Sequence, residues 1–191
     1  MAQTSDEICR RKGITRIETD DFAALSHSRT ASSIENGIWE KEIVPVGNIT
    51  YKDEDHVVLD STPESLSQLR TAFGPDSLVT AGNASGVVDG AAAVVIKSAS
   101  QASSDGDSPL ARIVSWGIVG LEPAIMAYGP VPSSRLALEK AGLDIEDIDR
   151  SESNEAFAGQ AVACIKDLGL DIHKVNVNGG AVGLGHPLAA T

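Results

Sequence analysis

His186 is the residue whose surroundings best fit a chemical role. It follows a Gly-rich turn and precedes a proline, in the run Gly183-Leu184-Gly185-His186-Pro187. Proline is preferred in the first turn of a helix, which predicts the imidazole at a strand-to-helix junction, where α/β sheets hold their sites. An imidazole there can donate or accept a proton near neutral pH. His27, His56 and His173 lie among polar residues and are predicted to be exposed.

The two cysteines are the other candidates for nucleophilic chemistry. Cys164 lies in an apolar helical stripe, which favours a small buried hydrophobe over a nucleophile. Cys9 precedes three basic residues, whose charges can lower a thiol pKa, but no histidine or Gly-rich loop is near it in the sequence. We therefore expect both to be unreactive. Being 155 positions apart, they form neither a disulfide framework nor a zinc cluster, which favours a reduced intracellular compartment such as the cytoplasm.

Nucleotide and metal motifs fail at the positions that their chemistry needs. The spacing of Gly180 and Gly185 fits a phosphate-binding loop, but His186-Pro187 replaces the required Lys and Ser/Thr. The start of a dinucleotide fingerprint ends at Leu188, where its third glycine belongs. The acidic run 53–56 lacks the glycine and the distal glutamate of a calcium loop, so we predict a solvated loop and no metal site.

Composition and charge exclude several classes of partner. Fifteen basic and twenty-seven acidic side chains give a net charge of −12, which argues against nucleic acid or an anionic membrane as the main partner. No apolar run approaches the roughly 18 residues of a membrane span. Residues 1–13 show no secretory signal. One small anionic ligand in a local pocket remains compatible with the charge.

The elements that must position these residues follow an α/β pattern. Capping-box spacing predicts helices that start near Thr4 and Thr15 and stop at Gly13 and Gly37. Further helices are predicted over 63–69, from 132 to about 142, and over 155–168, with a weak helix or boundary at 98–108. We expect strands at 42–46, 89–96, 111–119 and 174–178, the second of them buried on both faces. Their alternation with helices predicts α/β layers.

The chain resembles the thiolase family, whose segments it carries in family order. The matching segments are 37–46 (GIWEKEIVPV), 79–86 (VTAGNASG), 89–93 (DGAAA), 115–117 (SWG), 128–132 (YGPVP), 154–158 (NEAFA), 176–181 (NVNGGA) and 185–188 (GHPL). The two blocks at 154–158 and 185–188 are catalytic in the family, and their combination is highly specific.

The resemblance implies a layered αβαβα sandwich, here incomplete, because the chain is similar to the middle portion of the family fold. Residues 1–87 would be the later part of the loop domain that covers coenzyme A. Residues 88–107 would return to the N-terminal core domain, and 108–191 would form the first half of the C-terminal core domain. Sheets that lack strands are expected to leave exposed edges and apolar faces.

The implied activity is that of an acyl-CoA C-acyltransferase of lipid metabolism, similar to acetyl-CoA acetyltransferase. It forms or cleaves a 3-oxoacyl-CoA, with coenzyme A as substrate, no other cofactor, and homo-oligomers in the full-length parent. By this resemblance His186 is the oxyanion donor and base partner, and Asn154 holds a water beside it. Ser85 contacts the pantetheine arm of coenzyme A, and Phe157 contributes to the same binding site.

Two cysteine segments of the family, for the nucleophile and for the acid/base residue, have no match here. We therefore expect a fragment that is inactive alone, because acylation needs a thiol beside the base. The alternatives are a non-catalytic module that binds coenzyme A or associates with a thiolase, and an inert α/β remnant.

Overall fold

The computed structural model describes residues 1–50, 52 and 56–190. The α-helices of this part of the chain are α1 (Ala2–Lys12), α2 (Arg16–Glu35), α3 (Pro63–Ser67), α4 (Ala99–Asp105), α5 (Pro130–Ala141), α6 (Ala158–Leu168) and α7 (Ala181–Leu184). Short 3₁₀ helices cover Ile38–Lys41, Pro123–Tyr128, Ile145–Asp147 and Ile172–Lys174. The acidic residues 53–55 lie outside the described residues.

The first two helices end as their sequences predict, but α1 begins earlier than expected. Thr15 and Glu18 form the predicted capping box at the start of α2. The Thr4 hydroxyl donates to the Met1 carbonyl instead of capping the helix, so α1 already starts at Ala2. Gly13 stops α1 in the left-handed conformation, with φ of 65°.

The core lies where α1 and α2 pack on α6. Its buried side chains include Ile8 of α1, Phe22 and Ala23 of α2, and Ala161 and Ile165 of α6. The approach of α1 to α6 is close: a Cβ at Gly159 would lie 2.5 Å from the Cys9 Sγ. This helical core therefore supports the loops that are described below.

The four predicted strands do not form as regular strands. The bridges in the described residues are isolated pairs: Val46 with Ile49, Ala84 with Phe157, and Ser151 with Val175. The segments 89–96 and 111–119 form no helix or strand, and 89–96 is not buried, since Val94 and Val95 are 85% and 87% exposed. A strand is held by its neighbours, and the described residues supply no neighbouring strands to these apolar segments.

Apolar side chains are exposed along the same segments, as the incomplete sandwich predicts. They include Val94, Val95, Ile96, Leu110, Ile113, Trp116 and Ile118. An apolar cleft of about 680 Å³ runs between α5, α6 and residues 113–115. Of the helices described, none has the length and hydropathy that a bilayer crossing requires.

The α6 helix begins at Ala158, three residues after the predicted start at 155. The residues before it are held in another way. The Ala158 N–H donates to the Asn83 carbonyl, and Ala84 pairs with Phe157, so residues 156–158 lie against a loop instead of continuing the helix. This displacement places the residues of the 154–158 block beside residues 83–86, a loop of small residues.

Candidate active site

His186 and Asn154 are in direct contact. The amide Nδ2 of Asn154 lies 3.2 Å from the imidazole Nε2 of His186. Nδ2 can only donate, so this contact is a hydrogen bond to Nε2 when the ring proton is on Nδ1. Asn154 is exposed and His186 is half-buried, so the pair is open to a ligand. The structure thus brings together two groups that are 32 residues apart in the sequence.

Backbone contacts hold His186 beside the small-residue loop 83–86. The helix α7 ends at Leu184, and Gly185 then turns the chain with φ of 88°, a conformation that favours glycine. A Cβ at Gly185 would lie 2.5 Å from Val88 Cγ1. The His186 N–H donates to the Gly86 carbonyl at 2.7 Å, which joins the histidine segment to that loop.

The other two predicted site residues lie at the junction of the same loop with the 154–158 block. The Ser85 N–H donates to the Ala156 carbonyl at 3.2 Å, and the Ser85 hydroxyl donates to it at 3.0 Å. Ala84 forms a bridge with Phe157, the next residue of the block. Ser85 and Phe157 are both half-buried. Consequently all four predicted site residues share one junction.

A buried polar network anchors the small-residue loop to α2. The Asn83 side chain accepts from the Thr80 N–H at 2.8 Å and donates to Asp20 Oδ1 at 2.9 Å. Asp20 in turn pairs with Arg16 at 2.7 Å, and Arg16 also donates to the Leu66 carbonyl. Since buried polar groups need partners, this network makes the position of the loop specific.

Glu155 is a buried carboxylate that the sequence reasoning missed. It accepts from the Ser26 hydroxyl at 2.6 Å, the Asn176 amide at 2.7 Å and the Val182 N–H at 3.0 Å. The sequence offers one signal for it: Glu155 is a charged residue at the edge of an otherwise apolar helix pattern, directly after Asn154. Its partners are distant in the sequence, so no local pattern reveals them.

The prediction that His27 is exposed is wrong. His27 lies on the face of α2 that packs inward and is 4% exposed, and its Nδ1 accepts from the Val58 N–H at 3.3 Å. Burial lowers the pKa of this imidazole from its ordinary value. His56 is not exposed as predicted either: it is half-buried, and its Nε2 accepts from the Gly86 N–H at 3.1 Å. His173 is exposed as predicted.

Neither cysteine thiol is part of this junction. Cys9 on α1 and Cys164 on α6 are both buried in the helical core. Burial raises the pKa of each thiol to about 11. The basic residues after Cys9 pair with carboxylates: Arg10 and Arg11 with Glu7, and Lys12 with Asp167. Both thiols are therefore protonated at neutral pH.

Within residues 1–50, 52 and 56–190, no group of three or more His, Cys, Asp or Glu side chains could hold a metal ion. What the junction presents instead is an imidazole and an amide beside a loop of small residues. Such a set can stabilise an oxyanion by donating hydrogen bonds.

Two family models cover nearly all of the chain. The model described as "Thiolase, N-terminal domain" matches residues 1–100, and the one described as "Thiolase, C-terminal domain" matches residues 107–191. The chain belongs to the thiolase family. The predicted boundaries at 87/88 and 107/108 stay predictions.

Named relatives place the chain near the acetyl-CoA acetyltransferases. It is 45% identical over 197 residues to the acetyl-CoA acetyltransferase of Shinella zoogloeoides. This alignment covers 100% of this chain and 50% of the relative. The crystal structure of the Bacillus anthracis acetyl-CoA acetyltransferase aligns with a TM-score of 0.94 at 43% identity, over 100% of this chain and 50% of that one. The human mitochondrial 3-ketoacyl-CoA thiolase in complex with CoA aligns with a TM-score of 0.87 at 39% identity, over 98% and 48%.

These alignments confirm the predicted fold class: the chain has the thiolase fold in part. It spans about half the length of the relatives it matches. The described residues reproduce the arrangement of that half, although the segments that would be its strands are not paired in this chain.

Proposed function

We propose that the chain provides the thioester-binding half of a thiolase-type acyltransferase, which forms or cleaves a 3-oxoacyl-CoA with coenzyme A. The observation that carries this proposal is the 3.2 Å contact between Asn154 and His186 at an exposed junction. Membership of the thiolase family supports it, as does the CoA complex among the similar structures.

In this proposal the pair stabilises negative charge on the thioester oxygen. Deprotonation of an acetyl-CoA methyl group, or attack on the carbonyl, moves charge onto that oxygen. His186 would donate from Nε2, and Asn154 would hold a water that donates a second hydrogen bond. One such donor is worth about 3–4 kcal/mol of barrier in other oxyanion holes.

The donor role requires a proton on Nε2 of His186. In the ligand-free protein Nε2 accepts from Asn154, so acyl-CoA binding should exchange the Nδ1–H form for one with Nε2–H. When the substrate oxygen accepts the Nε2 hydrogen bond, the same imidazole would also be the partner of the base. A change of tautomer on ligand binding is expected for a catalytic His186 and not for a merely structural one.

Ser85 and Phe157 would bind the pantetheine arm. The Ser85 hydroxyl donates to the Ala156 carbonyl, and its oxygen can still accept from a pantetheine amide N–H. Phe157 offers a half-buried aromatic face beside it. Coenzyme A would thus enter along the small-residue loop.

Neither Cys9 nor Cys164 would serve as the nucleophile, because both thiols are buried and protonated at neutral pH. The chain by itself would bind acyl-CoA and polarise its thioester without forming an acyl-enzyme. The same observation favours a second candidate, a non-catalytic module that binds coenzyme A.

Calorimetric titration of the chain with acetyl-CoA and with CoA tests the proposal. We expect saturable binding of both, weakened about three- to tenfold by Ser85→Ala, the loss of one hydrogen bond. Ser108→Ala, a change at an exposed serine, is the matched control. Absence of saturable binding contradicts both candidates.

Intact mass after incubation with acetyl-CoA separates the candidates. No acetylated cysteine and no exchange of acetyl groups with CoA are expected. An acetylated Cys9 or Cys164, or turnover above the blank, would overturn the view that the chain is inactive alone.

A further inference from the structure

Glu155 lies at the meeting point of three segments. Its side chain is 1% exposed, and its carboxylate accepts from donors on α2, on the turn after Ile172–Lys174, and on the first turn of α7. Each contact gives a hydrogen to the carboxylate, which suits a group that accepts and does not donate. A buried carboxylate with all its contacts satisfied is a strong local constraint.

These contacts reach both members of the catalytic pair. Glu155 directly follows Asn154 in the chain. Its contact with the Val182 N–H holds α7, the helix that leads into His186. The Ser26 hydroxyl that donates to Glu155 also accepts from the Gly183 N–H at 3.2 Å. One carboxylate therefore holds the backbone next to Asn154 and the helix that precedes His186.

The surrounding backbone is shaped to fit this carboxylate. A Cβ at Gly180 would lie 2.3 Å from the Glu155 Cδ, so a side chain there would overlap it. Asn176 adopts φ of 44°, which is unusual for a residue other than glycine. Its amide donates to Glu155 and to the Ser153 carbonyl, and its Oδ1 accepts from the Ser153 N–H. Strain of this kind persists where the surroundings over-determine it.

We propose that Glu155 is a positioning residue, whose carboxylate sets the separation and orientation of the Asn154 amide and the His186 imidazole. This inference rests on the proposed function of that pair. Because Glu155 is 1% exposed, its carboxylate would not contact the substrate itself. Without its carboxylate, α7 and residues 153–155 lose their common anchor, and the imidazole no longer stays against the amide.

Glu155→Gln is the sharpest variant, because it keeps the shape and replaces one acceptor with a donor. The new amide must place its NH₂ either toward Asn176 or toward Val182. Asn176 cannot reverse without losing its acceptor for the Ser153 N–H, and the Val182 donor is a backbone group. In either orientation the new NH₂ group faces another donor, the Asn176 amide or the Val182 N–H.

The readout is the ring ¹⁵N spectrum of His186 in the ligand-free full chain, which reports the nitrogen that carries the proton. The unchanged chain should show mainly the Nδ1–H tautomer, since Nε2 accepts from Asn154. Glu155→Gln should shift His186 to the tautomer mixture of a free imidazole. Glu152→Gln, the same change at an exposed carboxylate three residues earlier, should leave the His186 signals in place.

A second variant distinguishes positioning from general loss of structure. Ser26→Ala removes one donor to the Glu155 carboxylate and leaves the carboxylate in place, so it should move the His186 tautomer partly. If Glu155→Gln unfolds the chain, as circular dichroism would show, Ser26→Ala decides instead. Unchanged His186 signals in whichever of these variants is folded overturn the proposal. The assay contains no coenzyme A, so failure of the proposed function appears separately, in the calorimetry.

Discussion

The Gly86 carbonyl accepts the His186 N–H at 2.7 Å, so the small-residue loop and the histidine segment are joined through their backbones. Since Ser85 precedes Gly86, a ligand that contacts Ser85 is delivered close to the imidazole. In the proposed function, binding and polarisation of a thioester would therefore be linked by geometry but carried by different side chains. This separation makes the two roles testable one at a time.

The first prediction concerns the thioester carbonyl. When the chain binds acetyl-CoA labelled with ¹³C at the carbonyl, hydrogen bonds to the oxygen should lower its infrared stretching frequency. His186→Ala should abolish most of this shift. Ser85→Ala should weaken binding but leave the frequency of the bound species unchanged. Equal frequencies for free and bound acetyl-CoA in the unchanged chain would contradict the proposed oxyanion role.

The second prediction concerns the two thiols. Burial raises the pKa of Cys9 and Cys164 from 9.0 to about 11, so at pH 8 the thiolate fraction is about 100-fold below that of an ordinary cysteine. Alkylation by iodoacetamide at pH 8 should be slower than that of a free cysteine by at least this factor. Addition of urea sufficient to unfold the chain should remove the difference. Rapid alkylation of either thiol in the folded chain would contradict the buried assignment.

The same shifts predict a pH dependence of stability. A thiol whose folded pKa is raised keeps its proton in the folded state when the unfolded state loses it. The folded state is therefore penalised as pH rises from about 9 to about 11, and is not affected by these groups below pH 9. Urea unfolding at pH 8 and pH 10.5 should show a fall in the unfolding free energy, which Cys164→Ala should reduce.

A fourth prediction concerns the acid limb of the stability curve. Lys166 and the Thr15 cap hold the pKa of Glu18 at about 2, below its ordinary value of 4.5. A lowered carboxyl pKa stabilises the fold above about pH 4.5, and this contribution is lost as pH falls toward 2. Because the pair is partly exposed, we expect an effect below about 1 kcal/mol. Glu18→Gln keeps a residue that suits the capping box and should flatten the loss between pH 5 and pH 3 by about that amount. A slope equal to that of the unchanged chain would contradict this assignment.

Helix ends were predictable from the sequence because their signals are local. Thr15 with Glu18, and Gly13 and Gly142 at their helix ends, act within one turn of the chain. The segments 89–96 and 111–119 were predicted as strands and are not, since a strand depends on neighbours that the described residues do not provide.

The same distinction separates the parts of the site. Asn154 and His186 were predictable because each lies in a short recognisable block, and the structure brings them into contact. Glu155 was not, because its hydrogen-bond partner Ser26 lies 129 residues away in the sequence. His27 was misjudged for a related reason: polar sequence neighbours of a helical residue point to other faces of the helix.

The last prediction tests the space around Glu155 from the other side. Gly180→Ala places a methyl group 2.3 Å from the Glu155 Cδ, where a fully buried carboxylate cannot give way without breaking a hydrogen bond. Overpacking of this kind costs about 1–3 kcal/mol, measurable as a lower midpoint of urea unfolding. Gly120→Ala is the matched control, because a Cβ there has no heavy atom within 4 Å. If the folded Gly180→Ala chain were as stable as the control and kept the His186 tautomer, the carboxylate would not hold the site in the way described. A loss of stability together with a shifted tautomer would link the packing at Gly180 to the orientation of the imidazole. Gly180 packs against Glu155, and the imidazole is proposed to depend on Glu155.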